Sequence, residues 1–183
     1  PKGHFSAVAL KIPKLLTYLE YQLATLAAVL KPGTPIIAAG MDKHLSPRIA
    51  SMLEHYIGPT QRHRGQLKAR CFTAIRDERE AAAPPVDARY YCEALGADLV
   101  SAANVFSREK MDIGSRFLLD HIGQLKTTSN AIDLACGNGI LGLVAKTKGI
   151  CANVSFCDES AMAVASASEN ATVICPGSEQ NFE

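Results

Sequence analysis

The sequence predicts an α/β protein made of two consecutive open-sheet units. Three observations carry that prediction. Residues 1–76 alternate strand-like and helix-like patterns in the order β-α-β-α-β. Residues 77–89 are charged, then alanine-rich, then contain Pro84-Pro85, the composition of a linker. Residues 131–142 read as a short apolar strand, a glycine turn and an apolar helix start, and a second apolar run follows at Val154–Cys157.

In chain order, Phe5–Ile12 reads as a buried strand stopped by Pro13. A helix follows, because Leu16, Leu19, Leu23, Leu26 and Leu30 recur at steps of three and four and so share one face. Lys31-Pro32-Gly33 ends it, and Thr34–Ala39 is a second strand closed by Gly40. A second helix runs through Met52 and Tyr56 to Gly58-Pro59, and Gln66–Ile75 alternates as a third strand. The loop Gly40–His44 occupies the carboxyl end of a strand, where α/β folds place ligands, and Lys43, His44 and Arg48 are candidates there to meet phosphate.

Beyond the linker, Tyr90–Leu95 and Ala97–Ala102 flank Gly96 and predict a hairpin. Phe117, Leu118 and Ile122 mark a helix that Gly123 ends, with Asp112 or Ser115 as its cap and Gly114 as a tight turn before it. Ser160–Asn170 is an alanine-rich helix, and residues 173–183 show no strand pattern.

The chemistry concentrates in Ala131–Gly142, A-I-D-L-A-C-G-N-G-I-L-G. Gly137, Gly139 and Gly142 satisfy G-x-G-x-x-G, a turn that lets a ligand approach the backbone beside a helix N-terminus. Asp133 precedes the first glycine by four residues, and Asp158 stands at the tip of the next strand, placed to hold ribose hydroxyls. An acid in the turn repels a pyrophosphate and suits a ligand with an ammonium, a sulfonium and no phosphate, which is S-adenosylmethionine. The plain alternative is a strand–turn–helix whose glycines are structural.

Composition sets further bounds. With 183 residues, 48% apolar and 20% charged, the chain has room for a sizeable core and is not disordered. No apolar run is long enough for a membrane span and no charged-then-apolar leader precedes the first strand. Six cysteines without ligand spacing predict small buried apolar residues, no metal site and a reducing, cytoplasmic compartment. The net charge of +1 is unevenly spread: Arg62, Arg64, Lys68, Arg70 and Arg76 fall in a stretch with no acid. Residues 131–183 hold six acids against Lys146 and Lys148. A basic half points to an anionic macromolecule, with Lys43, Arg48, Arg62, Arg64 and Lys68 as candidate RNA contacts; a solvated basic face is the alternative.

Val105-Phe106-Ser107, Met111–Arg116 and Asp133–Gly139 in this order resemble the ribosomal RNA guanine-N2 methyltransferases. Leu10–Lys14, the Gly40–Leu45 loop and Tyr56–Pro59 are similar to that family's N-terminal part. The resemblance implies two methyltransferase-like, Rossmann-like domains. Residues 1–76 would be part of a degenerate N-terminal domain, 77–89 a linker, and 90–183 the first half of the cofactor domain. Ala135 stands where glycine is commoner in the family. The implied reaction moves a methyl group from S-adenosylmethionine to the exocyclic N2 of one guanine in protein-poor 23S rRNA. Cofactor residues would be Asp133, Gly137, Asn138, Gly139 and Asp158, with Phe106 and Gly114 on the near wall. The family's Asn-Pro-Pro-aromatic turn, which accepts from the amine and stacks the flipped base, is absent, so no catalytic residue is assigned. Starting without methionine and stopping after two cofactor-domain strands, the sequence is expected to be an inactive internal piece that self-associates through its sheet edge. The rival functions are a nicotinamide-type oxidoreductase using the same glycine turn, and a non-catalytic RNA-binding module.

Overall fold

A computed structural model describes residues 3–177 and 180–183. The chain divides into two compact units, Pro1–Pro85 and Val86–Glu183.

The first unit contains strands β1 (Val8–Lys11), β2 (Pro35–Met41), β3 (Thr60–Arg62) and β4 (Ala69–Ile75), with helices α1 (Leu16–Val29) and α2 (Ile49–Tyr56). The sheet order is β1-β2-β4-β3, with β1 parallel to β2 and the other pairs antiparallel. Alternation in β2 and β4 decides which face is covered. Ile36 and Ala38 stand opposite Ala74 and Phe72, and all four are buried with Leu19 and Leu23 of α1 and Ile49 and Leu53 of α2. Ile37 and Ile75, on the other face, are about half exposed.

Three expectations change. The strand predicted from Phe5 begins only at Val8, because its parallel partner offers register positions from Ile36 to Ala39 and nothing earlier; Phe5 is exposed. The strand predicted from Gln66 begins at Ala69, because Leu67 and Lys68 form a reversal. That reversal lays β4 back along β3, a strand the alternating pattern did not predict, and makes the sheet mixed.

The second unit opens with the expected antiparallel hairpin, β5 (Ala88–Cys92) and β6 (Ala97–Ser101), but β5 starts inside the expected linker and ends before Leu95, because residues 93–96 form the turn. Helix α3 (Ile113–His121) starts after Asp112, the earlier of the two expected caps. Asp112 is its N-cap, accepting from the Ser115 N–H at 3.1 Å, so Gly114 lies inside the first helical turn and does not form a tight turn. Then come β7 (Thr128–Leu134), α4 (Ile140–Thr147), β8 (Cys151–Cys157), α5 (Ala161–Ile174) and a short β9 (Asn181–Phe182) unforeseen in the sequence. The three strands run parallel in the order β7-β8-β9, so β7-α4-β8 is a crossover unit of the doubly wound type. Leu143 and Val144 of α4 and Val154 and Phe156 of β8 centre the core. Among the described residues no helix is long and apolar enough to cross a membrane.

Candidate functional site

The turn between β7 and α4 is built from three left-handed residues, Ala135 (φ +60°), Gly137 (+55°) and Gly139 (+84°). Two are glycines, which adopt this geometry without a side-chain clash. Ala135 is not, and its Cβ makes the same conformation costly. The third motif glycine has a different reason. A methyl group at Gly142 would lie 2.6 Å from Phe156 Cε1 and 2.9 Å from Val154 Cγ1, so only glycine lets α4 sit this close to β8.

Both predicted acids stand at the turn. Asp133, only 7% exposed, accepts from the Gly142 N–H at 2.8 Å, satisfying one of the free donors at the start of α4. Burial pushes its carboxyl up to about 6, against the pull of that hydrogen bond, and the nearby Asp158 charge pushes the same way. Asp158 bridges two elements: Oδ2 accepts from the Gly137 N–H at 3.0 Å and Oδ1 from the Ser160 N–H at 2.8 Å. Each carboxylate oxygen retains a lone pair for a further donor such as a ribose hydroxyl. Cys136 is buried beside these acids, and burial first, then their charges, raises its thiol to about 12, so it is no nucleophile.

Asn138 turns its side chain inward. Its Nδ2 donates to Tyr90 Oη and Ser101 Oγ, each at 3.1 Å, and its backbone carbonyl accepts from Asn170 Nδ2 at 2.9 Å. Asn170 also exchanges hydrogen bonds with the Val100 backbone at 2.8 and 2.9 Å. Ser166 accepts from the Ala102 N–H, and Ser160 and Asn104 bond reciprocally. A polar stripe on α5 and its cap thus latches the hairpin, the loop after it and the glycine turn together. Tyr90, Ser101, Ser166 and Asn170 escaped sequence reasoning; Ser166 and Asn170, four apart, share a helix face with Ala163 and Ala167 and were the available signal. Of the expected wall residues, Phe106 is 71% exposed and Gly114 lies exposed on α3; Val105, the neighbour of Phe106, is buried and 4.0 Å from a Cβ placed on Gly137.

The geometry suits a cationic, phosphate-free ligand. The glycine turn supplies backbone approach, and two carboxylates flank it where a pyrophosphate would need positive charge. Among the described residues no group of His, Cys, Asp and Glu is arranged to hold a metal.

In the first unit, Lys43, Arg48, Arg62, Arg64 and Lys68 are exposed, and no side chain among them has an ion-pair partner among the described residues. Arg62 and Arg70 line a cavity of about 400 Å³ with Asp42, Ser46 and Phe72. Arg70 is spoken for, donating Nε to Asp42 Oδ1 at 3.0 Å. Arg76 leaves the basic face altogether. Only 6% exposed, it donates to the carbonyls of Ala27, Asp77 and Arg79 and ties the end of β4 to α1.

An open parallel sheet, a glycine turn leading into a helix and an acid at the next strand tip define a methyltransferase-like, Rossmann-like unit preceded by a second α/β unit. Residues 1–78 match the family model "RLMG N-terminal domain" and residues 96–175 the model "Methyltransferase small domain". The ribosomal RNA large subunit methyltransferase G of Pseudomonas putida (strain GB-1) is 42% identical over 169 residues, covering 92% of this chain and 45% of the relative. Its counterpart in Stutzerimonas stutzeri (strain A1501) is 40% identical over 173 residues, covering 94% of this chain and 46% of the relative. The chain is similar over more than nine-tenths of its length to these large subunit methyltransferase G proteins, and it spans a little under half of theirs. A T. thermophilus 16S rRNA N2 methyltransferase, solved in complex with AdoMet and guanosine, superposes with a TM-score of 0.81 at 21% identity. That match covers 99% of this chain and 50% of the other, and it shows the shared fold.

Proposed function

We propose that the chain supplies the N-terminal and cofactor-holding parts of an S-adenosylmethionine-dependent rRNA methyltransferase acting on the exocyclic N2 of a guanine in 23S rRNA. The observation that carries the reading is the pair of carboxylates at the glycine turn, Asp133 behind it and Asp158 bonded to the Gly137 N–H. S-adenosylmethionine supplies an electrophilic methyl group on a sulfonium. Gly137, Asn138 and Gly139 would approach it through their backbone, Asp158 would hold the ribose, and Asp133 would favour its positive charge. Phe106 and Gly114 are the proposed near wall. No residue of this chain is assigned to proton transfer or to the target base.

The first unit, with no glycine fingerprint after its strands, takes the RNA-facing role in this proposal. Lys43, Arg48, Arg62, Arg64 and Lys68 neutralise phosphates of protein-poor 23S rRNA in the cytoplasm, a term that sets affinity and carries no sequence choice. The test is calorimetry on the chain with S-adenosylhomocysteine and with NAD. The expected result is binding of the first alone, weakened by about 1–3 kcal/mol in Asp158→Ala through loss of charge-assisted hydrogen bonds. NAD binding at comparable strength, or an Asp158→Ala variant that binds like the wild type, would overturn it.

A further inference from the structure

The reversal that replaces the start of the predicted third strand has an unusual composition. Gln66 and Ala69 exchange both backbone hydrogen bonds, at 2.9 and 2.8 Å, so Leu67 and Lys68 are the two central residues of a tight hairpin turn. Both are left-handed, with φ of +50° and +61°. Such turns call for Asn-Gly or Asp-Gly, and a leucine there strains its backbone. Leu67 is also 99% exposed. It therefore contributes neither a favourable conformation nor a packing contact to this fold.

The arm that carries it is firm. His63 continues the β3–β4 pairing by donating its N–H to the Cys71 carbonyl at 3.0 Å, and His63 Nε2 meets Thr73 Oγ1 at 2.9 Å. The Asp42 N–H donates to the Lys68 carbonyl at 2.8 Å, and the Arg70–Asp42 ion pair at 3.0 Å braces the same side. Along the same arm, Lys68 is in the turn, Arg64 lies between β3 and the turn and Arg62 is in β3 opposite Phe72, all exposed and without ion-pair partners among the described residues.

We infer that the β3–β4 arm is an RNA-engaging element in which Leu67 is an apolar wedge against a base and Arg62, Arg64 and Lys68 grip the flanking phosphates. The occupant is an unpaired segment of RNA, a loop or bulge, because only there is a base face free to meet a side chain. The charge complementarity selects a polyanion over an apolar protein surface, and a stiff, strained tip suits insertion better than a mobile one. This inference rests on the RNA-substrate reading above.

The test is fluorescence anisotropy of the full chain with a protein-free 23S rRNA transcript across a salt series. Leu67→Asn keeps the turn, since asparagine tolerates positive φ, and removes the wedge. The expected result is an affinity lower by about tenfold, the scale of losing one buried leucine contact, with the salt slope unchanged. Arg64→Gln should instead lower the slope by about one. The thermal midpoint of Leu67→Asn should equal or exceed that of the wild type. An unchanged RNA affinity in Leu67→Asn, or a second copy of the chain lost from its tip in place of RNA, overturns the wedge while leaving the RNA reading intact. No RNA binding by the wild type at low salt overturns both.

Discussion

Replacing Gly142 with alanine sets two effects against each other. Alanine is the better helix former, and its substitution for glycine inside α4 favours folding by about 1 kcal/mol. The new methyl group, however, has nowhere to go. It would lie 2.6 Å from Phe156 Cε1, 3.0 Å from Phe156 Cζ and 2.9 Å from Val154 Cγ1. Neither neighbour can yield cheaply. Phe156 is fully buried and stacks on Phe182 with ring centroids 5.3 Å apart, while Val154 is held in register opposite Ala131. Forcing an extra carbon into a packed core costs about 1–3 kcal/mol, more when the contacts are this short. The clash wins, and the net expectation is a loss of about 1–2 kcal/mol. Relief comes by lifting α4 from β8, which also moves the Gly137–Gly139 turn and should weaken S-adenosylhomocysteine. Urea unfolding of the second unit's signal is the assay. Gly123→Ala is the control, because nothing lies within 4 Å of its added Cβ and its backbone is not left-handed. A Gly142→Ala variant as stable as Gly123→Ala would refute the close-packing account of the third motif glycine.

Two further perturbations probe the same turn. The buried Asp133 carboxyl, raised from 3.8 to about 6, binds its proton more tightly in the folded state. Its contribution to stability therefore falls as pH rises from about 4 to 6 and stays at its lowest above that, a change of at most about 3 kcal/mol. Unfolding curves of the wild type and Asp133→Asn should diverge across that window; parallel pH profiles would show that the acid is well solvated. Ala135→Gly should relieve about 1–2 kcal/mol of left-handed strain against about 0.4–1 kcal/mol of added unfolded-state entropy. A small rise in thermal midpoint is expected, and a clear fall would mean that the Ala135 methyl has a favourable contact.

What could be read from the sequence was local. The leucine spacing placed the α1 face because Leu19 and Leu23 meet one core through a period that belongs to the helix itself. The strand–turn–helix at 131–142 was legible for a similar reason: glycines at fixed offsets carry a backbone requirement that no tertiary partner needs to supply. What was not legible depends on partners far along the chain. The break at Gln66 is not legible because nothing in Leu67-Lys68 advertises a left-handed turn; the reversal is enforced by β3 and by the Asp42 N–H reaching the Lys68 carbonyl. Arg76 counts as one more positive charge in the sequence, and only the carbonyls of Ala27, Asp77 and Arg79 remove it from the surface.

Asn138 shows how the two kinds of information meet. Its position between two motif glycines names it as a ligand residue, and the backbone there is where a ligand would approach. The direction of its side chain is settled elsewhere, by the Tyr90 and Ser101 hydroxyls on a hairpin some forty residues earlier, while Asn170 on α5 holds its backbone carbonyl. A buried amide left without those two hydroxyls would cost about 1–3 kcal/mol, so the hairpin is what lets the turn carry asparagine at all. The motif specifies that a backbone must come close; the surrounding polar network decides which atoms are left to do it.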